Sequence, residues 1–205
     1  IITEKSHVAP LDFYAKQKYL SERATGWLNR SPTIYRFGTL FGLSPRMRFD
    51  LVINLFVAQA LTDGKITVFG GKQERPFLHV SDAADSLIFG IEKNITGTYN
   101  VISENMTILQ AAERIKKIIG CEIEISTENE DNRSYRVSAE KIKQVGFTPL
   151  KNLDDTIKEI KDAFSNKLLK DYNDVKYNNY KLLYSSKEMQ KEVFIKGISG
   201  SLDIP

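Results

Sequence analysis

The chain reads as an α/β protein built on parallel strands, and three observations carry that reading. A long helical pattern over residues 13–29 runs directly into an extended apolar run over residues 33–42, and helix and strand patterns continue to alternate beyond it. The run Thr33-Ile34-Tyr35-Arg36-Phe37-Gly38-Thr39-Leu40-Phe41-Gly42 is rich in β-branched and aromatic residues without strict polar alternation, as a buried strand of a parallel sheet is. Glycines and capping residues then punctuate the chain where such an alternation needs its turns.

Taken in order, Asp12 is placed to cap the first helix, and Leu20, Ala24, Trp27 and Leu28 are spaced for one buried face. The strand that follows ends at Gly42 and Pro45. A second helix is expected over residues 49–62, and Asp63-Gly64 turns the chain into a strand over 65–69. Gly70-Gly71 turns it again toward a short extended piece at 76–80. Asp82 reads as the cap of a helix ending near Glu92, and residues 97–102 read as a strand. Thr107 caps a helix over 108–119 that Gly120 closes, and residues 122–126 alternate like a short edge strand. Helices are expected over 137–145 and 153–164. Beyond residue 166 the chain turns polar and tyrosine-rich, with 171–184 forming a peripheral arm that Tyr172, Tyr177, Tyr180 and Tyr184 pack onto the body.

Composition narrows the function classes. At 205 residues, 41% hydrophobic and 27% charged, the chain can bury one sizeable core and a second small one. The net charge of +3 comes from interleaved signs rather than a basic patch, which argues against nucleic acid as a partner. Cys121 is the single cysteine, so no intrachain disulfide or thiolate cluster can form, and a reducing cytoplasm is the expected location. His7 and His79 lack ligand spacing, so no metal site is expected. The longest apolar run, over residues 51–61, is broken by Asn54 and Gln59 and is shorter than the ~20 residues that span a bilayer.

Tyr14 and Lys18 stand four apart on the first helix and so share a face. An ammonium one turn from a phenol stabilises the phenolate, which suits an acid/base in carbonyl and hydroxyl chemistry. Tyr172/Lys176 and Tyr177/Lys181 have the same interval. Spacing alone therefore leaves a plain helix-surface pair as the alternative.

The ordered series Pro10-x-Asp12-x-Tyr14-x-x-x-Lys18-x-x-x-Glu22, Arg36-x-x-Thr39-x-Phe41-Gly42, Arg75-Pro76-x-x-His79-Val80-x-Asp82, Asp131-x-Arg133-x-Tyr135, Lys141 and Gly146-Phe147-x-Pro149 resembles the extended short-chain dehydrogenases/reductases. Within them it is most similar to the NAD-dependent nucleotide-sugar epimerase/dehydratase group, over residues 1–164. The resemblance implies the C-terminal part of a Rossmann-like doubly wound parallel sheet plus a smaller α+β substrate-binding lobe. Residues 1–42 and 81–102 would belong to the NAD(P)-binding domain, 43–80 and 103–165 to the substrate lobe, and 166–205 to the arm.

The same resemblance implies site roles. Tyr14 would be the catalytic acid/base, and Lys18 would bind the nicotinamide ribose while lowering the tyrosine pKa. Phe37 would contact the cofactor, NAD or NADP, and Thr39 would stand where the family has a substrate-contacting asparagine. Arg75 and Arg133 would clasp the diphosphate of a nucleotide sugar, a task suited to the planar guanidinium fork. Val68 and Phe69 would border the nucleotide base, and Asn54 would supply a polar substrate contact. A homodimer through the Tyr14 helix is expected.

Several residues also admit plainer readings. Arg36 could pair with a carboxylate at a buried edge, Asp82 could be a cap, His79 a satisfied structural histidine, and Arg133 a surface partner of Asp131. The family's glycine-rich phosphate loop and its catalytic Ser/Thr do not occur in residues 1–205, and Thr3 and Ser6 fall where the family has a loop. Both missing parts are expected upstream of Ile1, and residues 1–205 alone are expected to be inactive. The competing reading is a non-catalytic nucleotide-sugar-binding homologue or a scaffold subunit.

Overall fold

A computed structural model describes residues 1–28, 31–128, 131 and 133–185. The expected end of the first helix at residue 29 and the arm beyond residue 185 lie outside the described residues.

Helix α1 (Phe13–Leu28) begins where Asp12 Oδ1 accepts a hydrogen bond from the Ala15 N–H at 2.7 Å, relieving one orphan donor of the first turn. The expected single strand over 33–42 is two, β1 (Thr33–Phe37) and β2 (Thr39–Phe41), broken at Gly38. Three segments cross at that glycine. Its N–H donates to Val101 O at 3.0 Å, and a Cβ there would lie 3.0 Å from both the Pro76 carbonyl and the Ile102 side chain.

The strands β3 (Lys65–Phe69), β4 (Glu74–His79), β5 (Gly97–Val101), β6 (Glu104–Thr107) and β7 (Glu122–Ser126) complete three small sheets. β1 pairs in parallel with β5, Thr33 opposite Gly97 and Phe37 opposite Val101. β2 pairs in parallel with β4, and β3 with β7. These parallel ladders make the α/β class. Among the described strands only β6, which has no alternating apolar pattern to announce it in the sequence, runs antiparallel, against the other edge of β4.

The helices α2 (Val52–Thr62), α3 (Val80–Lys93), α4 (Ile108–Ile119), α5 (Glu140–Gln144), α6 (Leu153–Ser165) and α7 (Asn179–Ser185) fall close to the expected places, with instructive differences. α2 starts three residues later than expected because Arg48 grips Asp50 and the Phe49 N–H donates to Tyr177 O at 3.1 Å, tying the preceding turn to the arm. The cap of α3 is His79, whose ring accepts from the Ser81 N–H at 3.1 Å, and not Asp82. Asp82 is buried in the first turn, where its carboxylate accepts from the Leu150 and Lys151 N–H groups at 3.0 Å each. α5 begins at residue 140 rather than 137, since Val137 is held extended by a parallel bridge to Ile2 and by two hydrogen bonds with the Asn105 side chain.

Two apolar clusters form the interior. The larger gathers Phe41, Ile53, Phe56, Val68, Ile115, Leu153, Ile157 and Ile160 beneath α2, α4 and α6. The smaller, around Leu78, Tyr99, Val101, Ile142 and Phe147, lies against β1 and β5. The arm docks on the larger cluster: Tyr177 is buried edge-on to Phe49, with Tyr172 beside it. Tyr180 is exposed, contrary to the expected packing, and the Tyr184 side chain lies outside the described residues.

The expected buried face of α1 is also corrected. Leu20 and Trp27 are exposed, 62% and 76%, and the half-buried positions are Ala15, Tyr19, Glu22 and Ala24. An ion pair between Glu22 and Arg36 of β1 sets this orientation and turns the bulky apolar side chains outward.

Candidate active site

A cleft of about 1070 Å³ runs between α1 and the β1–β2 strand, reaching the start of α2. Tyr14 and Lys18 stand on the α1 wall, and Phe37 and Thr39 on the strand wall. Lys18 Nζ sits over the Tyr14 ring, 5.5 Å from its centroid, and makes no ion pair with a described residue. Tyr14 is 68% exposed.

The wall of α1 is held by Arg36. Its Nε and Nη2 donate to the two carboxylate oxygens of Glu22 at 2.9 and 2.6 Å, a bidentate fork. The Glu22 hydrogen bond raises the Arg36 pKa, so Arg36 takes the paired-edge reading. Glu22 lies one turn beyond Lys18, so the clamp fixes the face that carries Tyr14 and Lys18. Phe37 stacks with Tyr35, ring planes 6° apart, which holds its ring at the cleft edge.

The far end of the cleft is built from backbone. Asn54, buried on α2, accepts from the Gly42 N–H at 3.0 Å and donates to Arg48 O at 3.1 Å. Gly42 has φ +112°, and a Cβ there would approach His79 Nε2 to 2.2 Å. Glycine is thus required for the turn to close over the imidazole. His79 is buried and caps α3, so the structural reading of that residue is the one its contacts support.

Arg75 and Arg133 form a separate cluster flanking the cleft. Arg75 Nη2 pairs with Asp131 Oδ2 at 2.8 Å, and Arg133 reaches the same carboxylate through Nε and Nη2 at 2.9 Å each. Arg133 Nη1 also donates to Asp12 Oδ2 at 3.0 Å, and Arg75 donates to the carbonyls of Glu74 and Arg133. The Arg75 guanidinium lies over the ring of Tyr135, 5.4 Å from its centroid, and Tyr135 lines the cleft. The Arg133 hydrogen bond, with help from Arg75, holds the Asp131 carboxyl well below the usual carboxylate range.

The structure therefore brings Tyr14, Lys18, Phe37, Thr39 and Asn54 to one cleft, with Arg75 and Arg133 at its flank. It does not bring Val68 there, because that side chain is fully buried in the larger core. Phe69, next to it on β3, is exposed and also away from the cleft lining. Sequence reasoning missed Arg46 and Arg48, which line the cleft beyond Gly42. The basic pair in Pro45-Arg46-Met47-Arg48 was the available signal. Each guanidinium is anchored, Arg46 on Lys176 O and Asn179 Oδ1, Arg48 on Asp50. Among the described residues no group of three or more His, Cys, Asp or Glu could hold a metal ion, and no helix is long and apolar enough to cross a membrane.

The sequence matches the NAD dependent epimerase/dehydratase family over residues 2–101. It is 36% identical to UDP-glucuronic acid decarboxylase 3 of Arabidopsis thaliana over 128 residues, 58% of this chain and 37% of that protein. It is 29% identical to UDP-glucuronic acid decarboxylase 1 of Danio rerio over 141 residues, 66% of this chain and 34% of that protein. Just over a third of each relative's length is thus spanned. Among solved structures, dTDP-glucose 4,6-dehydratase from Bacillus anthracis in complex with NAD superposes with a TM-score of 0.69 at 25% identity, over 80% of this chain and 57% of that one. UDP-glucuronic acid 4-epimerase from Bacillus cereus, at 24% identity and a TM-score of 0.68, shares the fold. With motifs in family order on parallel α/β architecture, residues 2–101 carry the likeness to the NAD dependent epimerase/dehydratase family.

Proposed function

We propose that the chain carries the acid/base and substrate-binding side of an NAD(P)-dependent enzyme that epimerises or dehydrates a nucleotide-diphosphate sugar. The observation that carries the reading is the Tyr14–Lys18 pair on one wall of a cleft whose other wall presents Phe37 and Thr39. Residues 1–42 and 81–102 serve the cofactor side, and 43–80 and 103–165 the substrate lobe.

The residues present fit the nicotinamide end of a dinucleotide. Lys18 pairs with no carboxylate of a described residue and can donate to a ribose hydroxyl, and Phe37 offers a ring held flat by Tyr35. The bound dinucleotide supplies the hydride acceptor for a sugar carbon. Tyr14 takes the proton of the sugar hydroxyl as general base, with the Lys18 ammonium one helical turn away over its ring. Arg36 and Glu22 keep the pair aimed at the cleft, where positioning to within about an ångström matters for rate. Arg75 and Arg133 bind the diphosphate and set how deeply the sugar reaches. The phosphate end of the dinucleotide needs a glycine-rich loop that residues 1–205 do not contain, so turnover requires a polypeptide that also carries that loop. A single buried Cys121 suits a reducing cytoplasm.

Tyr14→Phe in such a polypeptide tests the assignment. Turnover is expected to fall by about 10² to 10⁴ with nucleotide-sugar affinity retained, the range for loss of a general acid/base. An unchanged rate would favour the non-catalytic binding homologue.

A further inference from the structure

We propose that the Asp131 carboxylate is an internal stand-in for a diphosphate: it occupies the fork between Arg75 and Arg133, and a nucleoside diphosphate binds by displacing it. The inference rests on the diphosphate-clasp reading of these two arginines and adds to it the residue that guards the site.

Asp131 sits on a terminal nitrogen of Arg75 that a diphosphate would use. The Arg75 side chain is only 11% exposed, its guanidinium is covered by the Tyr135 ring, and one terminal nitrogen, Nη1, donates to the carbonyls of Glu74 and Arg133. The remaining terminal nitrogen, Nη2, is the one that Asp131 holds at 2.8 Å. Asp131 also takes Nε and Nη2 of Arg133, the two-point fork by which guanidinium binds phosphate oxygens. One carboxylate thus bridges both cations, as a phosphate group would.

Charge balance gives the arrangement its selectivity. Asp12 and Asp131 together neutralise Arg75 and Arg133. An incoming ligand must offer the arginines more than a carboxylate does, which a diphosphate can and a neutral nucleoside cannot. When Asp131 leaves, Arg133 can keep its bond to Asp12, whose other oxygen caps α1 two residues before Tyr14. Diphosphate binding is thereby tied to the start of the helix that carries the acid/base.

Calorimetric titration of UDP into the purified chain tests this, with Asp131→Asn and Asp131→Glu as variants. Asparagine keeps the shape and removes the competing charge, so UDP is expected to bind about threefold to tenfold more tightly, the scale of a partly exposed charged hydrogen-bonded pair. Glutamate keeps the anion and is expected to stay near wild type. If wild type binds UDP and Arg75→Ala weakens it, but Asp131→Asn leaves affinity unchanged or lowers it, the carboxylate organises the arginines and is not displaced, and the proposal is overturned. If wild type binds no UDP, the clasp reading itself fails and takes the proposal with it.

Discussion

His79 combines near-complete burial with an imidazole that accepts a hydrogen bond from the Ser81 N–H through Nδ1. Its Nε2 has no hydrogen-bond partner among the described residues and lies 3.7 Å from Glu159 Oε2. Burial pushes the pKa down, against the opposing pull of Glu159 and Asp82. A histidine whose pKa is lower folded than unfolded contributes stability that is complete above the unfolded value of about 6.5 and is lost as pH falls below it. The urea midpoint is accordingly expected to drop between pH 7 and pH 5.5. His79→Asn, which retains a good N-cap residue, should flatten that slope, and an unchanged slope in the variant would place the titration elsewhere. Tyr14, Lys18 and Arg36 were legible in the sequence because motif spacing names them. The Asp131 bridge was not, because it depends on Arg75, which is distant in sequence.

At the scale of elements, local signals performed best where neighbours within one turn decide the outcome. Helix α4 is the clearest case: Thr107 and Gln110 form a reciprocal capping box, and Gly120 closes the far end in a left-handed conformation. Thr107→Ala is expected to cost about 1 kcal/mol in chemical denaturation, and a loss below a few tenths would mean the box is redundant with packing. Where a partner came from elsewhere in the chain, the same signals misled. Asp82 has the chemistry of a cap but is recruited by backbone 68 and 69 residues away. Residues 137–139 stay extended because Ile2 and Asn105 hold Val137.

On the scale of the whole molecule, α1 presents Phe13, Leu20 and Trp27 at seven-residue intervals, 75%, 62% and 76% exposed. We propose that this apolar stripe is the contact surface of the homodimer expected through α1. Trp27→Glu is expected to shift the protein from dimer to monomer in sedimentation without loss of helix content; a monomeric wild type would remove the proposal. The sequence by itself determined the α/β class, the order of most elements, and the tyrosine–lysine pair, since periodicity, caps and motif spacing act through residues close along the chain. Tertiary structure alone decided which face of α1 is outward, that the strand breaks at Gly38, that Val68 belongs to the core, and that Arg75 and Arg133 meet on Asp131. Each of those outcomes depends on excluded volume or charge pairing between segments far apart in sequence, and such terms have no local signature.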